Sequence, residues 1–266
     1  MEETFELLDY DLSELEDWNC CGATSAHGAD AELALALPAR NLALASASTD
    51  RLIVPCAACY SRQKAAEVEF AAHPETKSRM ELKLGRSFDR EVTVVNIVDF
   101  LSGELGRIRE RLVRPLAGLK IACYYGCLLT RPPKTTGDPS YEDPQGMEMI
   151  VSSIGANPVD WSYKTECCGA SHTIARADLV QQLVSKILAM ALEAGAEAIV
   201  TACPMCQANL DGRQRGAEAF SKQKFNLPVL YITEAVSAAL GSQRSSRFLK
   251  GHFVRSEMVM QAFGAT

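Results

Sequence analysis

No apolar run in this 266-residue chain approaches the roughly 18–20 residues that cross a bilayer as a helix. The best candidate, Leu33 to Ala47, is interrupted by Pro38 and Arg40. Clustered positive charge is equally scarce. The net charge is −6 and the Lys and Arg residues are scattered, which argues against nucleic acid as the main partner, because phosphate binding needs concentrated cations. The first residues, Met1 to Glu16, are rich in Glu and Asp and lack the basic and apolar regions of a secretory signal. The expectation is a cytoplasmic protein with no direct membrane span, able to dock on a membrane subunit.

What the chain does have is cysteine. Ten of them stand in a composition otherwise ordinary for a globular protein, 47% hydrophobic and 23% charged. A disulfide framework does not suit their pattern. Adjacent pairs (Cys20–Cys21, Cys167–Cys168) and CxxC pairs suit metals or redox chemistry.

The cysteines are written twice. CCGAT (Cys20 to Thr24) and CAAC (Cys56 to Cys59) return as CCGAS (Cys167 to Ser171) and CPMC (Cys203 to Cys206). Cys20 to Cys167, Cys21 to Cys168, Cys56 to Cys203 and Cys59 to Cys206 are each 147 positions apart. One offset kept by four cysteines points to a duplicated metal-binding module. The second copy also has a leading cysteine, Cys127, preceded by Gly126. Its counterpart would fall at 127 − 147 = −20, before Met1. The expectation is an N-terminal truncation that has removed a strand–Gly–Cys–helix segment.

The chain between the cysteines alternates strand and helix signals. In the first half, helix is expected over Ala31–Ala47, with Pro38 kinking or dividing it, and from Ser61 to Ala72, just after the CxxC. Strands are expected at Leu52–Val54 and Val92–Val95, and His73–Phe88 reads as loop or loosely packed helix. A basic linker, Arg109 to Pro115, leads to a boundary near Leu116. In the second half, strands are expected at Lys120–Tyr124, Pro158–Tyr163, Ala198–Val200 and Val229–Ile232. Helices are expected at Met147–Gly155, Asp178–Ala194, from Gln207, and at Glu234–Leu240 with Thr233 as its cap. In the helix from Asp178, Leu179, Leu183, Ile187 and Met190 share one face. The tail to Thr266 is uninformative. Alternation of this kind predicts an α/β fold of two tandem pseudo-repeat modules, residues 1–115 and 116–266, each a mainly parallel sheet flanked by helices. Ligands in such folds lie beyond the C-terminal ends of the strands, where the cysteine segments fall.

The second module offers five close thiols, or six with Cys123. Adjacent cysteines seldom reach one small tetrahedral zinc together, so the pattern favours a larger iron–sulfur cluster by size. Zinc and disulfides are the alternatives this leaves.

The doubled C…CC…CxxC pattern resembles the CCG-domain family, and within it the B-type subunits of heterodisulfide reductases. The resemblance rests on Asn19 to Gly28 (NCCGATSAHG), Tyr124 to Pro132 (YYGCLLTRP), Glu166 to Ser171 (ECCGAS), Ala202 to Gln214 (ACPMCQANLDGRQ) and Leu227 to Gly241 (LPVLYITEAVSAALG), and spans nearly the whole chain. It implies two noncubane [4Fe–4S] clusters. One would be held by Cys127, Cys167, Cys168, Cys203 and Cys206, which would carry the catalysis through that cluster. The other would be held by Cys20, Cys21, Cys56 and Cys59, one cysteine short. It implies an oxidoreductase acting on a sulfur group, cleaving a disulfide such as that of coenzyme M and coenzyme B. The implied partners are that small-molecule disulfide, a C-type, ferredoxin-like subunit, and an A-type flavin subunit. The rival reading is a non-catalytic electron-transfer subunit of a respiratory or sulfur-metabolism dehydrogenase complex.

Other residues are weighed against plainer roles. Cys123, inside a predicted strand, is expected to be a core thiol. His27 and His172 follow the CCGA motifs and could donate a hydrogen bond or proton there, though polar loop positions suffice to explain them. Lys164 and Arg131 could meet a substrate anion, but a solvated surface role is the expectation. Gly22 and Gly169 are expected in tight turns, and Pro55 and Pro204 to frame the CxxC segments.

Overall fold

The computed structural model describes residues 1–23 and 25–264. Thr24, which closes the CCGAT motif, lies outside the described residues, as do Ala265 and Thr266. In chain order the elements are α1 (Glu2–Leu7), α2 (Ser25–Ala29), α3 (Ala31–Ser48), β1 (Arg51–Val54), α4 (Ala57–Ala72), α5 (Pro74–Leu84), β2 (Thr93–Asn96), α6 (Ile97–Gly103) and α7 (Leu105–Glu110). There follow β3 (Lys120–Tyr124), α8 (Pro133–Thr136), α9 (Gly146–Ser153), β4 (Asn157–Val159), a 3₁₀ turn at Ala170–His172, and α10 (Ala177–Glu193). The chain closes with β5 (Ala198–Thr201), α11 (Pro204–Gly212), α12 (Gln214–Ser221), β6 (Val229–Tyr231), α13 (Ile232–Ala239), α14 (Ser245–Lys250) and α15 (Glu257–Ala262). Every strand pair is parallel.

The chain forms two compact units. One comprises Met1–Leu12, Leu101–Cys127 and Glu142–Thr266, the other Ser13–Phe100 and Leu128–Tyr141. The larger unit holds a four-stranded sheet in the order β4-β3-β5-β6. All four residues of β5 and four of the five in β3 are buried, as expected for central strands covered on both faces. Strand order reverses direction around β3, so the loops after β3 and β5 open the crevice at which such sheets bind ligands. Cys127 and Cys203 lie on those two loops. The amphipathic α10, packed against α12, buries Val180, Val184, Ile187, Leu188 and Ala191, and Leu179, Leu183 and Met190 are only half-buried beside them. Its buried face is thus turned by about one residue from the expected stripe, toward the β-branched positions. Gly195 follows with φ +79 and donates to the Leu192 carbonyl, ending the helix. Helix α1 joins this unit, where the Thr4 hydroxyl donates to the Thr233 carbonyl at 3.1 Å and lies 2.6 Å from the Ser237 hydroxyl. Thr233 therefore serves as an anchor for α1. The capping role expected of it falls to Glu234, whose carboxylate accepts from the Tyr231 N–H at 2.7 Å.

The smaller unit holds the pair β1-β2, the counterparts of β5-β6. Helix α3 runs through Pro38 without division, and the Asn19 amide donates to the Leu37 carbonyl beside it at 3.1 Å. The His73–Phe88 stretch is a formed helix, α5, with Pro74 in its first turn and Gly85 at φ +61 past its end. It is otherwise polar and buries only Thr76 and Met80, one turn apart, which is why its pattern reads weakly.

Candidate metal centres

Both CxxC segments are helix starts. Cys56 and Cys203 are the residues before the first turn of α4 and α11, with φ −128 and −133, and Cys59 and Cys206 lie inside that turn. The helices begin at Ala57 and Pro204, not at Ser61 and Gln207 as the sequence suggests. Neither start carries a Ser, Thr, Asp or Asn cap to announce it. The positive end of a helix favours thiolate over thiol, but the neighbouring thiols override it at Cys59 and Cys206, which are both pushed up.

In the larger unit, β3 delivers Cys127 through a turn at Gly126, φ +68. The N–H groups of Tyr125 and Gly126 both donate to the Lys164 carbonyl, at 2.8 and 3.1 Å. The Tyr124 hydroxyl donates to the Glu166 carbonyl at 2.6 Å, fixing the residue before the cysteine pair. A Cβ on Gly126 would lie 3.2 Å from the Cys206 sulfur, so only glycine leaves that approach open. Cys168 Sγ lies 3.6 Å from Cys206 Sγ, and Cys127 and Cys203 hydrogen-bond to Cys167 and Cys206. The thiols expected of this site thus fall into two touching sets, Cys127 with Cys167, and Cys168 and Cys203 with Cys206. The Gly169 N–H donates to Cys167 Sγ at 3.3 Å, and the Asn209 amide to the Cys168 carbonyl at 2.8 Å.

These contacts polarise the thiols in pairs. The hydrogen bond from Cys127 holds Cys167 down to about 6, against the opposing effect of burial and with help from the Gly169 N–H. The same contact pushes Cys127 up. Cys168 is lowered by Cys206, and Cys206 is raised in turn. Burial, and then the surrounding thiols, raise the Tyr124 hydroxyl, which keeps it protonated as a donor.

The smaller unit repeats the arrangement with fewer members. Cys21 Sγ lies 3.0 Å from Cys59 Sγ, and Cys59 also hydrogen-bonds to Cys56. Cys21 is held down to about 6 by Cys59, and Cys59 is pushed up by Cys21. Cys20 is exposed. The residue before this pair is fixed by a device absent from the motif. Asn41, buried on α3, accepts from the Asn19 N–H at 2.9 Å and donates to the Asn19 carbonyl at 2.8 Å. Gly22 and Gly169 share φ +78 and +76, and a Cβ would meet Ala26 at 2.6 Å and Leu183 at 2.9 Å respectively.

The remaining candidates divide. Cys123 is fully buried in β3, and burial pushes its thiol well up, consistent with a core residue. His27 and His172 are exposed, and His172 lies near enough to help lower Cys167. Arg131 is half-buried. Lys164 overturns its expectation. It is 4% exposed, and its Nζ lies 3.0 Å from Glu148 Oε1 and 2.8 Å from Asp143 Oδ1. Glu148 also accepts from the Tyr125 hydroxyl. Lys164 is thus a buried support of the Gly126 turn, and no solvated surface residue.

Among the described residues no three His, Cys, Asp or Glu close around a single ion, and the sulfurs stand in pairs. An all-sulfur donor set, with Cys21, Cys167 and Cys168 biased to thiolate, a peptide N–H on one sulfur and a glycine against another, fits an iron–sulfur group.

A parallel α/β sheet with cysteine segments at its strand ends defines a cysteine-rich redox fold. The comparisons specify which. The CCG cysteine-rich domain matches residues 1–62 and 121–211, and the chain belongs to that family. It is 32% identical over 238 residues to the 8-methylmenaquinol:fumarate reductase membrane anchor subunit of Wolinella succinogenes, covering 88% of this chain and 83% of that one. It is 29% identical over 242 residues to the B-type subunit of the ferredoxin:CoB-CoM heterodisulfide reductase of Methanosarcina mazei, covering 88% and 80%. A crystal structure of a hypothetical protein from Helicobacter pylori shares the fold, with TM-score 0.76 at 14% identity over 95% of this chain. The chain spans about half, 47%, of that longer protein. Among the described residues no helix is long and apolar enough to cross a membrane.

Proposed function

We propose that this chain is an iron–sulfur subunit of a multisubunit reductase and that it reductively cleaves a disulfide. The observation that carries the reading is the convergence of Cys127, Cys167, Cys168, Cys203 and Cys206 at the sheet's ligand-binding edge. Cys20, Cys21, Cys56 and Cys59 would hold a second site. The relative from Methanosarcina mazei, named as the B-type subunit of a heterodisulfide reductase, supports the same assignment. When bound, noncubane [4Fe–4S] clusters would supply electrons singly.

The overall change is a disulfide plus two electrons and two protons giving two thiols. The electrons come from partners, assigned as ferredoxin-like and flavin subunits, and a cytoplasmic placement on such a complex follows. The chain's own residues prepare the site. Cys167 and Cys168, already inclined to thiolate, hold the group without costly deprotonation. The Gly169 N–H steadies the Cys167 sulfur, and Tyr124 and Lys164 lock the two loops that carry the ligands. His172, exposed beside Cys167, is the group placed to hand a proton to a departing thiolate.

A second reading is favoured by the 32% identical relative, named as a membrane anchor subunit of a fumarate reductase. In that reading the clusters relay electrons and cleave nothing. Anaerobically reduced protein, offered low-molecular-weight disulfides and a protein electron acceptor in parallel, separates the two. Free thiol appearing at two per disulfide consumed supports cleavage. Full transfer to the protein acceptor with no thiol formed selects the relay.

A further inference from the structure

At one aligned position the two cysteine sites differ by a full charge. Three residues after the second cysteine of each CxxC stand Arg62 and Asn209, and 209 − 62 = 147, the offset of the cysteines themselves. Each lies one helical turn beyond Cys59 or Cys206, on the same helix face. In each unit that face meets the second cysteine of the adjacent pair, at 3.0 Å for Cys59–Cys21 and 3.6 Å for Cys206–Cys168. Asn209 is 5% exposed and gives its amide to the Cys168 carbonyl at 2.8 Å. Arg62 is half-buried, donates to the Ser61 hydroxyl at 3.0 Å, and turns its charge on Cys21 and on His27.

We propose that Arg62 makes the two sites electrically unequal, so that a cluster at Cys21, Cys56 and Cys59 has a higher reduction potential than one at the Cys127–Cys206 set. The inference rests on the iron–sulfur reading above. Reduction adds negative charge, and a fixed cation nearby stabilises the reduced form. Arginine stays protonated at any working pH, so the bias is permanent. Partial burial weakens its screening by salt. At the other site the equivalent group is a neutral amide. Of the charged groups there, His172 acts on Cys167 against Glu166, and Lys164 is matched by Glu148 and Asp143. Electrons entering the subunit would come to rest at the Arg62 site.

The test is a potentiometric titration of the full chain, reconstituted with iron anaerobically and followed by electron paramagnetic resonance. Cys203→Ser removes one signal and so assigns the other to the Arg62 site. In the wild type the Arg62 site should have the higher midpoint. Arg62→Gln should lower that midpoint alone, making the site about tenfold less reduced at a fixed potential, about 59 mV for a one-electron couple. Arg62→Lys should keep it near the wild-type value. The proposal is overturned if the Arg62 site titrates below the other in the wild type, a result that needs no variant to fold. It is equally overturned if Arg62→Gln leaves its midpoint in place, or if Arg62→Lys falls as far as Arg62→Gln. A wild-type chain with no iron–sulfur signal at all would instead remove the reading beneath it.

Discussion

Lys164 and Glu148 face each other at 3.0 Å behind the turn that carries Cys127, both nearly out of reach of solvent. Burial by itself pulls the lysine down. The Lys164 ammonium donates to Asp143 and lies against Glu148, and these two carboxylates outweigh burial and hold Lys164 above the ordinary lysine range. Its own carbonyl receives the Tyr125 and Gly126 N–H groups, so side chain and backbone of one residue fix the site from behind.

Lys164→Met should therefore be costly. Removing one member of a buried pair strands the other charge, at about 3–5 kcal/mol. Asp143, whose side chain is largely exposed, adds little to that figure. Lys164→Met combined with Glu148→Met should recover most of the loss, because no charge is left stranded. Denaturant unfolding of the wild type, both single variants and the double variant gives the coupling directly. Near-additive losses would mean that the two side chains do not act as a pair.

The thiols make a pH prediction in iron-free protein. Cys167 and Cys21 are each held to about 6 by a hydrogen-bonded partner cysteine. Thiolate is the reactive form, so alkylation of Cys167, which is exposed, should rise with pH to half its plateau near pH 6. Cys123 is buried and pushed well up, so it should stay unlabelled until the protein unfolds. Mass spectrometry after timed iodoacetamide pulses between pH 5 and 9 reads both. Half-maximal labelling of Cys167 near pH 9 would show that its pairing with Cys127 is not formed.

Much of this was legible in the sequence, and for physical reasons. The central strands announce themselves because burial on both faces leaves β-branched runs such as Ala198–Thr201. The 147-residue offset of the cysteines gave the duplicated sites before any fold was known. What stayed hidden depends on partners far along the chain. Lys164 reads as a surface residue until Glu148 is brought beside it. Asn41 sits in an Ala- and Leu-rich helix and shows its role only when its amide meets Asn19. The CxxC helices start without capping side chains, so their first turns look like loop. The segment after Gly241 folds as two six-residue helices, too short to carry a period, and its key residue, His252, is defined by contacts with Asp211 and Glu234.

Gly169 offers a test of local geometry. It holds φ +76, and a Cβ there would meet Leu183 Cδ1 at 2.9 Å. Gly169→Ala should cost about 1–2 kcal/mol for the left-handed backbone, plus whatever Leu183 cannot yield. Leu183→Ala in the same chain should remove only the contact part. Thermal unfolding of the four forms separates the two terms, and iron content should fall with Gly169→Ala because the Gly169 N–H no longer points at Cys167. An alanine variant as stable and as iron-rich as the wild type would mean that the turn adapts freely.

His252 ties the C-terminal segment to the helix that carries Cys206. It is 8% exposed, with Nε2 3.1 Å from Glu234 Oε1 and Nδ1 3.8 Å from Asp211 Oδ2. Glu234 also accepts from the Gln207 amide at 3.1 Å, and Asp211 from the Phe253 and Val254 N–H groups at 2.8 and 3.1 Å. Burial opposes a charged imidazole, but Glu234 and then Asp211 outweigh it and raise His252 above 6.5. A histidine raised in the folded state contributes its full stability below 6.5, and that contribution is lost as pH climbs through the raised value. The His252 contribution to stability should thus be larger at pH 6 than at pH 8.5, while the lowered thiols Cys21 and Cys167 act in the opposite sense over the same range. Asp211 is itself pushed up by burial, so the histidine share has to be isolated by substitution. His252→Gln should lose about 1–3 kcal/mol at pH 6, the worth of a hydrogen bond to a charged group, and much less at pH 8.5. Urea midpoints of both proteins at the two pH values decide it. An equal loss at both would show that His252 is neutral in the fold, held by shape and not by its two carboxylates.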